Sequence, residues 1–155
     1  GLLDKDEQMA LLVMRVSGNR YGHHYFPHVG GVGFSFNPYR WNPEIDPESG
    51  MLRIVFGLGT RAVDRTDDDY TRIVALNAPT LRLEHDFAEI HKHAQKKVDT
   101  IDLFDNEMHT RSFETLAREL PQLPLALFTS IDIEAQRRAE EYQMTDFFAQ
   151  VAFLP

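Results

Sequence analysis

The 155-residue chain contains no cysteine, which excludes disulfides, thiolate metal sites and thiol chemistry. It also lacks a long apolar run. The longest clean stretch, Met9 to Met14, falls far short of the roughly 20 residues that span a bilayer. No charged start followed by an apolar core marks a secretory signal. Basic charge is scarce as well: 16 Lys and Arg stand against 24 Asp and Glu, a formal net charge of −8. A surface of that sign repels a phosphate backbone. The densest basic run (His91, Lys92, His93, Lys96, Lys97) has no interleaved aromatics, so neither nucleic acid nor a membrane is an expected partner. The missing cysteine and signal fit a reducing, cytoplasmic setting.

What is present has the balance of an ordinary globular protein, 43% apolar and 26% charged, in a chain long enough to bury a core. No repeat, low-complexity tract or linker divides it, so residues 1–155 are expected to form a single domain. The sequence opens Gly1-Leu2-Leu3-Asp4 without an initiator methionine and closes on the apolar Val151-Ala152-Phe153-Leu154-Pro155. Natural termini are usually solvated. The expectation is therefore a fragment of a larger protein.

Apolar patterning in the first half predicts four strands. Met9 to Val16 is apolar and ends before the turn residues Ser17-Gly18-Asn19, which suggests a buried strand. Tyr21 to His28 reads as an aromatic and histidine loop. Gly30 to Phe36 alternates, with Val32, Phe34 and Phe36 on one side and small residues on the other; such a face lets a second backbone or a ligand come close. Met51 to Phe56 and Tyr70 to Leu76 complete the set, separated by a proline-bearing connection and a charged loop.

The second half turns helical. Asp86 is placed to cap a helix carrying Phe87, Ile90 and Ala94. Val98 to Leu103 and Met108 to Phe113 flank Asp105-Asn106, a hairpin pattern. Ser112 can cap a short helix through Leu120, closed by Pro121, and residues 132–142 read as a further helix. The expected fold is α+β, a mainly antiparallel sheet with helices on one face.

Few residues compel chemistry. Gly57-Leu58-Gly59 follows a strand, but the third glycine of a dinucleotide fingerprint and the lysine of a P-loop are absent, so a structural turn is the better reading. Gly30-Gly31-Val32-Gly33 fits packing or nucleotide approach equally. His24 and His28 are four apart, but Pro27 breaks the helix that would align them, and His91 and His93 diverge. No metal site is expected. Asp67-Asp68-Asp69 has the hard oxygens that Mg²⁺ prefers, yet three consecutive acids point apart on a turn. Ser35, Ser112 and Ser130 show no histidine partner, and no catalytic residue is assigned.

Three stretches together resemble one family. Met9-Ala10-Leu11-Leu12-Val13-Met14-Arg15-Val16 is similar to the strand that enters the late part of the ATP-binding domain in phosphoenolpyruvate synthases and pyruvate phosphate dikinases. Gly31-Val32-Gly33-Phe34-Ser35-Phe36-Asn37-Pro38 resembles that family's small-Gly-Val-x-Phe-Ser/Thr-x-Asp/Asn-Pro signature. Gly57-Leu58-Gly59, with Val63 and later Asp69-Tyr70, looks like its Gly-Leu-Gly-Glu stretch and downstream Asp-x-Tyr. The resemblance covers about 65 residues in the family's order; residues 80–155 are compatible with it and add little.

The resemblance implies a partial ATP-grasp-like lobe, the middle-to-late part of the ATP-binding domain. The parent would be a phosphotransferase in which ATP phosphorylates a histidine on a separate domain, and that histidine passes the phosphate to pyruvate. ATP and Mg²⁺ would serve the parent, and this fragment alone would require neither. Its partners would be ATP and the remaining lobes and phosphohistidine domain of the parent chain. Nucleotide contacts would centre on Met14, Arg15 and Val16, with Ser35 and Asn37 as further candidates. The family's phosphate-binding lysine and arginine lie upstream of these signatures. Asp132-Ile133-Glu134 imitates its metal-binding Asp-x-Glu, but no matching Gln-x-Arg strand follows. Two departures stand inside the match: Met14 replaces a glutamine near the adenine, and Thr60 replaces the glutamate of Gly-Leu-Gly-Glu. They leave open an alternative, a non-catalytic regulatory module binding a nucleotide or a partner.

Overall fold

Local turn and cap chemistry places most of the elements. The structure, a computed structural model, describes residues 9–63, 69–131, 137, 138, 140–143 and 151–153. Strands β1 (Asn19–Tyr21) and β2 (His24–Phe26) form a hairpin. It closes at Gly22, whose φ of 61° suits a residue without a Cβ. β3 (Gly30–Phe34), β4 (Met51–Val55) and β5 (Arg72–Ala75) form an antiparallel meander, with Val32 opposite Arg53 and Arg53 opposite Ile73. β6 (Lys97–Asp102) and β7 (Glu107–Ser112) make the expected hairpin, turning at Asn106 with φ 60°. β6 also pairs with β2, which gives a four-stranded sheet in the order β1-β2-β6-β7. β8 (Thr129–Ile131) pairs with β9 (Val151–Phe153).

The helices are short. α1 (Thr60–Val63) follows the Gly57–Gly59 turn. α2 (Phe87–Lys92) starts at Asp86, whose carboxylate accepts from the Glu89 N–H at 2.9 Å. α3 (Phe113–Glu119) starts at Ser112, whose hydroxyl accepts from the Thr115 N–H. The fold is thus α+β with antiparallel sheets.

Two expectations are corrected. Met9 to Val16 is not a buried strand: it forms no ladder, and Met9, Leu11, Leu12 and Val13 are each at least 84% exposed. Apolar, β-branched sequence favours a strand only where a neighbouring strand supplies a ladder, and no described strand pairs with this stretch. The stretch from Asn19 to Phe26, read as turn and loop, is instead the β1–β2 hairpin. The helix expected at 132–142 falls largely outside the described residues, as do Asp67 and Asp68.

Alternation along β6 organises the core. Val98 joins Tyr21, Phe26, Phe56, Phe113, Leu116, Leu120 and Leu123 in one buried cluster, so α3 packs on that face. Phe56 is its hub, edge-on to Phe26 at 5.7 Å and to Phe113 at 5.4 Å between ring centroids. Asp99 points from β6 to the opposite face, where Thr60 and Thr110 donate to its carboxylate at 2.7 Å each. The meander is joined to this sheet through buried Gln95. Its amide accepts from the Phe56 N–H at 2.8 Å and donates to the Phe56 carbonyl at 2.8 Å and to the Lys97 carbonyl at 2.6 Å. Leu58 N–H then donates to the Asp99 carbonyl at 3.0 Å.

Gln95→Leu keeps an apolar side chain of similar size but removes the three hydrogen bonds of this buried amide, and a buried group that loses its partner costs about 1–3 kcal/mol. Urea unfolding should show a loss in that range or above it, and an unchanged midpoint would refute the role of this amide. A second expectation concerns acid. His24 is buried, and burial first, then His23 and Arg111, hold its imidazole below the ordinary 6.5. The unfolded chain therefore binds the proton more readily, so stability should fall as pH drops through 6.5. Melting temperatures across that range in wild type and His24→Gln test this; the variant should show the shallower acid loss.

Candidate functional site

The residues singled out for nucleotide contact occupy two places. Met14, Arg15 and Val16 lie in the exposed segment that leads into β1. Tyr25 on β2 donates its hydroxyl to the Val16 carbonyl at 3.0 Å, tying the segment's end to the first sheet. The backbone groups of Met14 and Arg15 make no hydrogen bond with other described residues. That leaves their donors and acceptors without a partner among the described residues.

Ser35 and Asn37 follow β3 in the meander. Ser35 is exposed. Asn37 is fully buried: its Oδ1 accepts from the Tyr39 N–H at 2.9 Å, and its own N–H donates to the Pro47 carbonyl at 2.8 Å. Its side chain thus closes a turn, while Nδ2 has no partner among the described residues. Among the described residues no hydrogen bond or ion pair links 14–16 to 35–37.

The glycine stretches turn out to face each other. A Cβ on Gly30 would lie 2.7 Å from the Gly59 nitrogen, and one on Gly57 would lie 2.5 Å from Val98 Cγ1. Gly57 also has φ 94°, which strains any other residue. Packing of strand against turn accounts for both motifs.

The acidic candidates are engaged in holding backbone and side chains. Asp69 accepts from the N–H groups of Lys96 and Lys97 at 2.7 and 2.9 Å and lies 3.4 Å from Arg61 Nε. Asp99 accepts the two threonine hydroxyls and lies 3.3 Å from Arg61. A guanidinium against both carboxylates opposes a second cation, so these two acids do not fit Mg²⁺. Thr60 is bound to Asp99 through its hydroxyl.

His24 and His28, four positions apart with Pro27 between them, lie in different surroundings. The Tyr21 hydroxyl and the His28 ring nitrogen share a hydrogen bond, and the His28 ring packs against Phe128 at 4.8 Å. His24 instead meets His23 and Asp102, with candidate ligand atoms all within 4.8 Å of one another. Arg111 lies 3.7 Å from Asp102 and competes with a metal ion for that carboxylate.

The meander carries a feature that sequence reasoning missed. A cleft of about 520 Å³ opens between β4, β5, the Tyr39–Trp41 stretch, residues 82–84 and α2. Arg40, Arg53, Arg72 and Arg82 line it together with Tyr39, Trp41 and Tyr70. Separations of 10 to 19 positions between successive arginines left no run to notice.

Neither a characterised protein nor a solved structure gives a significant match to the chain. Among the described residues no helix is long and apolar enough to cross a membrane. The family model for the AMP/ATP-binding domain of pyruvate phosphate dikinase, in contrast, matches residues 1–140. With nine-tenths of its length inside that match, the chain belongs to the pyruvate phosphate dikinase AMP/ATP-binding domain family.

Proposed function

We propose that this chain supplies one wall of the ATP cleft in a cytoplasmic phosphotransferase of the phosphoenolpyruvate synthase and pyruvate phosphate dikinase type. In the parent, ATP phosphorylates a carrier histidine on another domain, and the phosphohistidine passes its phosphoryl group to pyruvate. The match to an AMP/ATP-binding family over residues 1–140 carries this reading. The unpaired backbone of Met14 and Arg15 supports placing the adenine there. Their apolar, exposed run is a surface that the remaining lobes of the parent would cover. Phosphoryl transfer depends on positioning and on neutralising the phosphate charge. Asp69 and Asp99 are unsuited to hold Mg²⁺, so that role falls to carboxylates elsewhere in the parent.

A second reading, a nucleotide-binding regulatory module without phosphotransfer, is favoured by Thr60. Its hydroxyl is bound to Asp99 within the fold and offers no carboxylate where the family has one.

The full-length protein gives the test, since it contains the missing lobe. Met14→Gln should tighten ATP binding by about 0.5–1.5 kcal/mol, the net worth of one hydrogen bond. A bulky replacement, Val16→Trp, should weaken it. Unchanged ATP affinity in both variants, correctly folded, would remove the adenine from this segment. The two readings separate on chemistry: formation of phosphoenolpyruvate from pyruvate and ATP by the full-length protein supports the enzyme, and ATP binding without it supports the module.

A further inference from the structure

The arginine-lined cleft stands apart from residues 14–16. It is built on the meander and α2, whereas Val16 is tied to β2 in the other sheet. Several features of its lining are hard to reconcile with a merely structural role. Among the described residues, Arg53 Nε, Arg72 Nε and Trp41 Nε1 are buried donors without a hydrogen-bond partner, and Glu84 Oε2 is a buried acceptor without one. Buried polar atoms normally find partners, and four of the eight such atoms without one among the described residues belong to the lining of this cleft.

The charges reinforce this. Arg72 and Arg82 are close enough to repel, with Glu84 opposing that repulsion. Burial first, and the Arg82 charge second, lowers Arg72 to about 10. Burial likewise lowers Arg82. Partly buried guanidinium charges that repel each other are costly unless anionic charge offsets them, and Glu84 supplies a single carboxylate to the two. This happens in a chain whose formal net charge is −8, so a general excess of arginine does not explain the cluster.

The lining also limits which anion fits. Several guanidinium groups suit the multiple oxygens and higher charge of a phosphate better than a single carboxylate. Tyr39, Trp41 and Tyr70 add aromatic surface to the lining, and Ile73, Ile90 and Ala94 add apolar surface. Tyr70 is itself steadied edge-on by His93, with centroids 5.3 Å apart. The Trp41 N–H needs an acceptor and the Glu84 oxygen needs a donor, so the body of the ligand must carry both. A volume of about 520 Å³ is in the range of small-molecule sites. We propose that this cleft is a second ligand site, which binds a phosphate ester bearing a flat, hydrogen-bonding ring and acts independently of the contact at Met14 to Val16.

Trp41 is the single tryptophan of the chain and stands in the cleft wall, so its fluorescence reports occupancy. In the full-length protein, the difference between wild type and Trp41→Phe isolates that signal. The probes are AMP and inorganic phosphate. Both should change Trp41 emission saturably, and AMP should bind at least about tenfold more tightly because its ring adds stacking to the ionic contacts. Arg72→Gln and Arg53→Gln, checked by circular dichroism for folding, should each weaken AMP at least about tenfold. Met14→Gln should leave the Trp41 titration unshifted. The wild-type titration stands even where an arginine variant fails to fold. No Trp41 response to either probe up to about 10 mM, well above a millimolar Kd, would overturn the proposal. So would phosphate binding as tightly as AMP, folded arginine variants that bind normally, or a titration moved by Met14→Gln.

Discussion

The junction between the meander and the four-stranded sheet depends on two backbone groups of one residue, the N–H and C=O of Phe56. They sit where the meander ends and the aromatic cluster begins, out of reach of water. The Gln95 amide meets both, acting as one further residue of a strand ladder, and its second donor reaches the start of β6. A side chain thereby does what a backbone pairing would do, and it joins two sheets that share no ladder. The position of the Phe56 ring among Phe26 and Phe113, the Gly57 turn beside Val98 and the Leu58 bond to β6 all follow from that fixed point.

The acidic residues around the junction play a matching part. Asp69 gathers two consecutive backbone N–H groups, Asp99 gathers two hydroxyls, and Asp102 takes the Phe104 N–H while facing Arg111. Carboxylates accept several hydrogen bonds at once, which suits them to places where strands, turns and a short helix meet. The acidity of this chain is thus partly architectural. Its cations are distributed differently, with four arginines gathered along one cleft of the meander.

Much of the local structure was legible in the sequence, because caps and turns act over a few residues. Asp86 and Ser112 announced their helices, and Asp105-Asn106 announced its hairpin. The β1–β2 hairpin escaped notice because its turn rests on Gly22 among aromatic and histidine residues with no strand alternation. Met9 to Val16 misled for the opposite reason: its composition favours a strand, but pairing depends on a partner that local sequence does not contain. The three-part family resemblance pointed to the family that the match over residues 1–140 shows. The burial of Gln95 and Asp99 and the convergence of the arginines were not legible. Each depends on contacts between segments distant in sequence, and a polar residue gives no local sign that it will be buried.

The bare apolar run from Met9 to Val16 bears on how the protein can be handled by the cell. A β-prone segment whose backbone pairs with no described strand is a template for pairing with whatever strand arrives first. On the ribosome or during refolding, that encounter sets up a race between the proper neighbour and another copy of the same segment. Crowded synthesis would favour the wrong winner, whereas early formation of a partner lobe would favour the right one. The order in which parts of the protein become available, rather than the stability of the finished sheets, would then govern how much of it stays soluble.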